Sequence, residues 1–412
     1  MARELRAITA TETGRPLGPA PQVGTPASMR ALNQRLVLQR LRDHGEATRP
    51  QIAGDTGLSK PTVGQALLDL EQYGLVRAAG HSLSGPGRAA VVYRAAPEAG
   101  HVAGVDIGRR SIRVAVADLD GSIVARLDEP NRCRSAGALV RTVSEAVSRT
   151  VAAAGLAPGD VVATVVGTPG IPDARTGTVH RAPNLPGWER KGLLHELADE
   201  LGAHGSQLVV ENDANLCAVG EHALGAALGV DVLVCLTVGT GIGMGVLVDG
   251  RLFRGAHGAA GEIADLPVGS GGARAKRPGP MEDAAAAHAV VAHARELGVG
   301  KARTAKDVFR LAREGDPLAR QVVEAEAVHL AHVVAAVTAV LDPGLIVLGG
   351  GIGGNADLLA EPMRRTLAAT TPFAAEIIAG QLGSEAVLAG AITTALGTAR
   401  ELVFDRREPR RA

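Results

Sequence analysis

The period of the apolar positions changes along this chain, and each change marks a segment. From Arg30 the pattern is helical: Leu32, Leu36, Leu38 and Leu41 make an apolar stripe, and Gly45 follows as a stop. Thr48-Arg49-Pro50-Gln51 reads as a second helix start. Thr48 caps it, Gln51 reaches back as the capping-box partner, and Pro50 lies in the first turn, where its missing N–H had no partner. That helix carries Ile52 and Ala53 and ends at Thr56-Gly57; Ser59 then caps a third, running through Val63, Leu67 and Leu70 to Tyr73-Gly74. Helix, short glycine-containing turn, helix is the spacing of a helix-turn-helix. Beyond it, Leu75-Val76-Arg77 and Val91-Val92-Tyr93 flank a Gly/Pro/Ser-rich tip from Gly80 to Gly87, a hairpin in the place of a wing.

At Pro97 to Gly100 the pattern turns to strands. Val102 to Ile107 is followed by Gly108, then Ile112 to Val116, then a turn at Asp120-Gly121. A related unit returns at Leu233 to Val238, with Gly239-Thr240-Gly241-Ile242-Gly243, a second strand and a turn at Asp249-Gly250. The repeat predicts a duplicated α/β body of two lobes with a ligand in the cleft between them. At 412 residues the chain is too long for one core. We divide it into a disordered leader over 1–28, a DNA-binding domain over 29–97, lobes over 98–225 and 226–404 with C-terminal helices able to return to the first, and a tail over 405–412. The leader is expected to be dispensable, with Met29 an alternative start.

Charge sharpens the picture at the front end. The whole chain balances 43 Lys and Arg against 43 Asp and Glu, yet residues 29–97 carry nine against five and the remainder is acidic. A basic head on an acidic body suits nucleic acid in front and an uncharged or cationic ligand behind. Lys60, Thr62 and Gln65 stand in the first turns after Ser59, where a recognition helix meets base edges, and Arg88 just past the hairpin tip is placed for a minor groove. The plainer alternative is a three-helix structural or protein-binding domain whose charges are merely solvated. Cys133, Cys217 and Cys235 are far apart without a CxxC, which excludes a disulfide scaffold and a four-cysteine zinc site and suits a reducing cytoplasm. The longest apolar run, Leu330 to Leu341, contains His332 and falls short of the ~20 residues that cross a bilayer, so no membrane partner is expected.

The segments DIGRRSIRVAVADLDG, GTPGIPD, APNLPGW, ENDAN, LTVGTGIGMG, GAAGEI and VLGGGI, in this order, resemble the ROK family of sugar kinases and sugar-responsive repressors. The resemblance covers roughly residues 30–400 and includes the winged helix that the family's repressors carry and its kinases lack. It implies an N-terminal winged helix-turn-helix followed by a two-lobed, actin-like α/β body closing over a sugar and, in the kinases, ATP.

Within that resemblance, Asp213 matches the kinase base, Asn212 a sugar-hydroxyl partner and Asn184 a further sugar contact. On the residues alone, Asp213 follows a strand near a helix start, where it could take a proton from an attacking hydroxyl or simply cap the helix. Trp188, the only tryptophan, is open to a plain core role. Glu262 matches the glutamate of the family's E-x-G-H motif, but Ala264 and Asp265 replace its Gly and His. That histidine is a zinc ligand in most of the family, joined by three cysteines; aligned on Glu282, the cysteine positions hold Ala273, Ala275 and Pro280, which cannot bind the metal. No zinc or other cofactor is therefore expected. Asp213, Glu262, Asp265 and Glu282 together would accept hydrogen bonds from sugar hydroxyls and repel phosphate, with no Lys or Arg among the matched positions, which favours a neutral sugar, unless one or two of them face solvent.

On the nucleotide side the family's D-x-G-G-T loop is altered: Asp106-Ile107-Gly108 is followed by Arg109 and Arg110, whose bulk should crowd a nucleotide, while Gly239-Thr240-Gly241 and Gly349-Gly350-Gly351 are intact. The expectation is a non-enzymatic, cytoplasmic, nucleoid-associated repressor of carbohydrate genes, a homodimer on a palindromic operator. A kinase with a fused DNA-binding domain and a constitutive DNA-binding protein with a dead pocket stand as alternatives.

Overall fold

A computed structural model describes residues 25–82, 90–202, 206–266, 279–373 and 375–406. At the front, helices Pro26–His44, Arg49–Thr56 and Lys60–Gln72 close around Leu38, Leu41, Ile52, Val63 and Leu67. The first helix begins at Pro26, before the expected start of the pattern at Arg30 and of the domain at Met29: the Thr25 hydroxyl accepts the Ser28 N–H at 3.1 Å, and proline suits the first turn. Its buried stripe also differs from the expected one. Gln34, Val37, Leu38 and Leu41 face inward, while Leu32 and Leu36 are 49% and 38% exposed. Gln34 can occupy a core position because its amide donates to Asp69 Oδ2 at 2.7 Å, a partner on the third helix.

The capping signals act locally. Gln51 Oε1 accepts the Thr48 N–H at 2.8 Å, and Ser59 Oγ accepts the Thr62 N–H at 3.3 Å. Strands Val76–Ser82 and Ala90–Ala95 pair antiparallel as the wing's flanks, and Ala47–Thr48 joins the second of them.

Two five-stranded sheets follow. In the first the order is Gln207–Asn212, Val161–Thr168, His101–Ile107, Ser111–Asp118, Ile123–Pro130; in the second it is Arg251–Leu252, Ile242–Val248, Val232–Val238, Leu345–Gly349, Glu376–Ala379. Each centres on a strand that is antiparallel to the next in sequence and parallel to a later one, so the repeat read from the glycine turns is a repeat of topology. Helices Ala136–Ala153 and Leu193–Gly202 cover one face of the first sheet, with fully buried Trp188 beneath them. The helices from Pro280 to Thr370 cover the second. Among these, Pro317–Leu341 has the length and composition to cross a membrane, but Val322, Leu330 and Val334 place it in the second lobe's core.

The C-terminal helix Ala386–Asp405 leaves the second lobe and returns to the first, burying Leu388, Ile392 and Ala395 against its sheet. It crosses helix Asp213–Leu224 backbone to backbone: a methyl on Gly390 would lie 1.9 Å from the Leu216 carbonyl oxygen, and one on Gly220 2.2 Å from that of Ala386. Buried Glu221 reinforces the crossing by accepting the N–H groups of Ala226, Gln381 and Leu382 at 2.9–3.0 Å. The same helix then ends inside the head, where Phe404 joins the core of Val37, Leu38 and Leu41. Cys217 and Cys235, distant in sequence, meet beside this crossing with their sulfurs 3.4 Å apart and both thiols buried.

Candidate functional site

A cleft of about 340 Å³ opens between the sheets, lined from the first by Gly108, Arg109, Gly170, Arg181, Asn184, Asn212 and Asp213, and from the second by Thr237 to Gly243, Glu262, Glu282 and Gly350. Every residue matched above to a sugar contact lines it except Asp265, which stands at the rim with a half-exposed side chain.

Asn212 and Asp213 arrive on the end of strand Gln207–Asn212 and the first turn of helix Asp213–Leu224. The cap of that helix is Asn212: its Oδ1 accepts the N–H groups of Ala214 and Asn215 at 2.8 and 3.2 Å, and its amide donates to Gly170 O at 3.0 Å. The capping role open to Asp213 is thus filled by its neighbour. Asp213 accepts the Ala214 N–H at 2.9 Å, and burial raises its pKa against the pull of the Ala214 and Asp213 backbone N–H groups. Across the first sheet, burial and then the Asp213 charge push Asp106 up to about 7, although Arg113 stands 3.6 Å away.

From the second lobe, burial raises Glu262 and Glu282 above the usual carboxylate range; Arg181 partly offsets it at the first, and His288 and then Arg181 at the second. Arg181 corrects the reading of an all-acidic pocket. Its Nη2 donates to Asp265 Oδ1 at 2.6 Å and its Nη1 to the other carboxylate oxygen, while its Nε lies 3.5 Å from Glu262 Oε2. Arg109 adds a second cation to the cleft wall. Sequence reasoning missed Arg181 because it precedes the quoted APNLPGW segment, and its one local signal is a backbone at φ +61, rare for a residue with a side chain. It missed a second pair too: Arg254 Nε donates to buried Glu211 Oε2 at 2.7 Å.

The glycine turns face the same cleft. Gly350 has φ +79 and a methyl there would lie 2.4 Å from the Val238 carbonyl oxygen, so the fold requires this glycine with or without a nucleotide. Arg109 and Arg110 are both exposed, and of the two only Arg109 lines the cleft. Trp188 donates to Thr168 Oγ1 at 2.7 Å from full burial and is a core residue that props the Asn184 segment. Pro280 opens the short helix carrying Glu282; Ala273 and Ala275 lie outside the described residues.

On the head, Ser59, Lys60 and Gln65 are exposed on the third helix, with Thr62 half-buried among them. Ser59 and Thr62 hydroxyls lie 2.8 Å apart, and Gln65 donates to Asp69 Oδ1 at 2.8 Å, which aims its amide before any partner arrives. Arg88 lies outside the described residues.

Comparison with known proteins agrees with both parts. The family model described as the ROK family matches residues 102–397, and that of a winged helix-turn-helix DNA-binding domain matches residues 31–77. A glucokinase of Halalkalibacterium halodurans is 31% identical over 64% of this chain and 83% of its own length. A xylose repressor of Caldicellulosiruptor bescii is 25% identical over 84% of this chain and 89% of its own. The crystal structure of a ROK family transcriptional regulator, a homolog of the E. coli MLC protein, superposes with a TM-score of 0.75 at 20% identity, covering 92% of this chain and 99% of that one.

Proposed function

The chain belongs to the ROK family and carries a winged helix-turn-helix DNA-binding domain; on that premise we propose that it is a sugar-responsive transcriptional regulator, acting as a repressor, whose effector is a neutral sugar held between the lobes. The observation that carries this reading is one continuous packing path. Helix Asp213–Leu224 begins at the cleft, crosses helix Ala386–Asp405 without side chains between the backbones, and that helix ends as part of the DNA-binding head's core. A change in lobe closure at Asp213 therefore moves the element on which the head rests. Sugar releases DNA if it binds the DNA-incompetent arrangement more tightly, since occupancy alone shifts nothing.

In the cleft, Asn184, Asp213, Glu262 and Glu282 supply acceptors for hydroxyls, and Asn212 retains one amide hydrogen. The charge of Arg181 is taken up by Asp265 and Glu262, so among the cleft's sugar-side residues the carboxylates outweigh the cation, which favours a neutral sugar over a phosphorylated one. Two copies would read a palindrome with half-sites about one helical turn apart, each through Ser59, Lys60, Thr62, Gln65 and a wing bearing Arg88. Capture of genomic DNA by the purified protein tests this: discrete palindromes beside carbohydrate genes are expected, and release by one sugar names the effector. Absence of enrichment with and without sugars would defeat it.

A second reading, a sugar kinase fused to the head, is favoured by Asp213 at its helix start and by the glucokinase relatives. ADP release on incubation with ATP and glucose, removed by Asp213→Asn, would establish it; none is expected, because Arg109 occupies the wall beside the glycine turns.

A further inference from the structure

The segment that carries Glu262 packs on the second lobe, where Ile263 and Ala264 join the core and Gly261 lies against the Met244 carbonyl, yet its charged side chains reach across to the first. It leaves the second sheet at Leu252. Two residues on, Arg254 is bound to Glu211, at 6% exposure on the first sheet's edge strand. At its far end Asp265 receives both terminal nitrogens of Arg181, which follows the first lobe's strand Thr178–His180. Glu262 lies between these two ties and takes the third contact of the same guanidinium. Arg181 adopts φ +61 to make these contacts, a conformation that costs ~1 kcal/mol for a residue with a side chain and persists only where its surroundings enforce it.

We propose that this two-point ionic clamp, Arg181–Asp265 and Arg254–Glu211, positions Glu262 for the effector without a metal ion. The residues present do not fit zinc. Both oxygens of Asp265, which stands where the metal-binding histidine is expected, are engaged by Arg181, and Pro280 offers no donor atom. Arg181 is a positioning residue: it orients Glu262 and screens its charge, while Glu262 keeps its remaining lone pairs for the ligand. Because the clamp joins the lobes across the mouth of the cleft, it also sets the closure from which any signal to the head departs.

The role assigned to the effector rests on the reading above, but the clamp can be tested without one. Amide exchange over residues 255–266 of the full-length, ligand-free protein is expected to rise at least about tenfold in Arg181→Met and in Asp265→Asn, and to recover in the charge swap R181D/D265R. Asp265 is half-exposed, so its variant retains the fold. Extensive dialysis against 1,10-phenanthroline is expected to leave the wild-type pattern unchanged, and elemental analysis to find far less than one zinc per chain. Stoichiometric zinc, deprotection by the chelator, or wild-type exchange in both single variants would overturn the proposal. Thermal shifts with D-glucose, D-xylose and N-acetyl-D-mannosamine form the second arm: any sugar that stabilises the wild type should bind Arg181→Met at least about tenfold more weakly. If no sugar acts on the wild type while the exchange results hold, the effector reading fails and the clamp stands.

Discussion

Phe404→Ala should separate sensing from DNA binding. The ring is 3% exposed, sits among Val37, Leu38 and Leu41 of the head, and lies under the Arg35 guanidinium at 4.6 Å. Truncating a buried phenylalanine costs ~3–5 kcal/mol. The other contacts of this seam are weaker: Arg35 pairs with Glu401 and with Asp405, the latter at 3.2 Å, on an exposed surface where such pairs contribute ~0–1 kcal/mol. Even a loss of about 3 kcal/mol lowers the docking constant of head on body by a factor of roughly 150. The proposed recognition residues Lys60 and Gln65 are exposed on another helix and do not touch the ring. Gel-shift titration should therefore find operator affinity within a few-fold of wild type and no change on adding the effector, and calorimetry should show the head melting ahead of the body. Phe404→Leu, which keeps most of the volume, should retain the response. An undiminished sugar effect in Phe404→Ala, with a single unshifted transition, would refute the claim that the C-terminal helix carries the signal.

Three further outcomes follow from the same structure. Gly390→Ala places a methyl 1.9 Å from the Leu216 carbonyl oxygen, a backbone contact that no rotamer change relieves; a loss of at least ~1–3 kcal/mol by urea denaturation is expected, and stability within about 0.5 kcal/mol of wild type would show that the helices do not meet there. Asp213→Ala and Glu262→Ala should leave operator affinity intact and abolish the sugar response, and a normal response in either removes that residue from the site. Asp106, raised from 3.8 to about 7 by burial and by Asp213, holds its proton in the native state after the unfolded chain has lost it. Stability should fall as pH rises through that window, by at most about 1.4 kcal/mol per unit from this group. Asp106→Asn should flatten that part of a urea-midpoint profile, leaving the separate slope of Glu326, which burial pushes up to about 9; an unchanged slope would mean Asp106 ionises normally.

What the chain reveals in one dimension and what it withholds divide along a physical line. Thr48 with Gln51 and Ser59 with Thr62 are three-residue interactions, and their geometry is local enough to read directly. The two sheets are legible because each repeats a strand, a glycine turn and an Asp-Gly hairpin, and the resemblance brings Asn184, Asn212, Asp213, Glu262 and Glu282 to one cleft. The ion pairs are another matter. Arg181 and Asp265 are 84 residues apart, Arg254 and Glu211 43, and an arginine that will neutralise a pocket has no period or spacing to announce it. Reading the pocket as uncompensated acid was therefore an error of the kind that one sequence cannot correct. The register of the first helix failed for the same reason, since Gln34 is polar by composition and buried only because Asp69 waits 35 residues away.

The long-range contacts that the pattern hides are also the ones that the proposed regulator needs. A kinase body works if its lobes close on two substrates; a repressor must in addition report closure to a head that touches neither. Helix Ala386–Asp405 meets that requirement by belonging to three cores at once: it buries Leu388 and Ile392 under the first sheet, abuts the cleft's own helix at Gly220 and Gly390, and completes the head with Phe404. Helices in such backbone contact cannot slide by fractions of a turn without clashing, so in the proposed regulator motion at Asp213 would be transmitted as a rigid tilt rather than absorbed by side chains. The ionic clamp acts at the input of that lever. By tying the Glu262 segment, which packs on the second lobe, to the first, Arg181 and Arg254 would couple ligand contacts at Glu262 and Asp213, so that closure over a sugar in the proposed regulator would shift the lobes relative to one another and with them the C-terminal helix that carries the head.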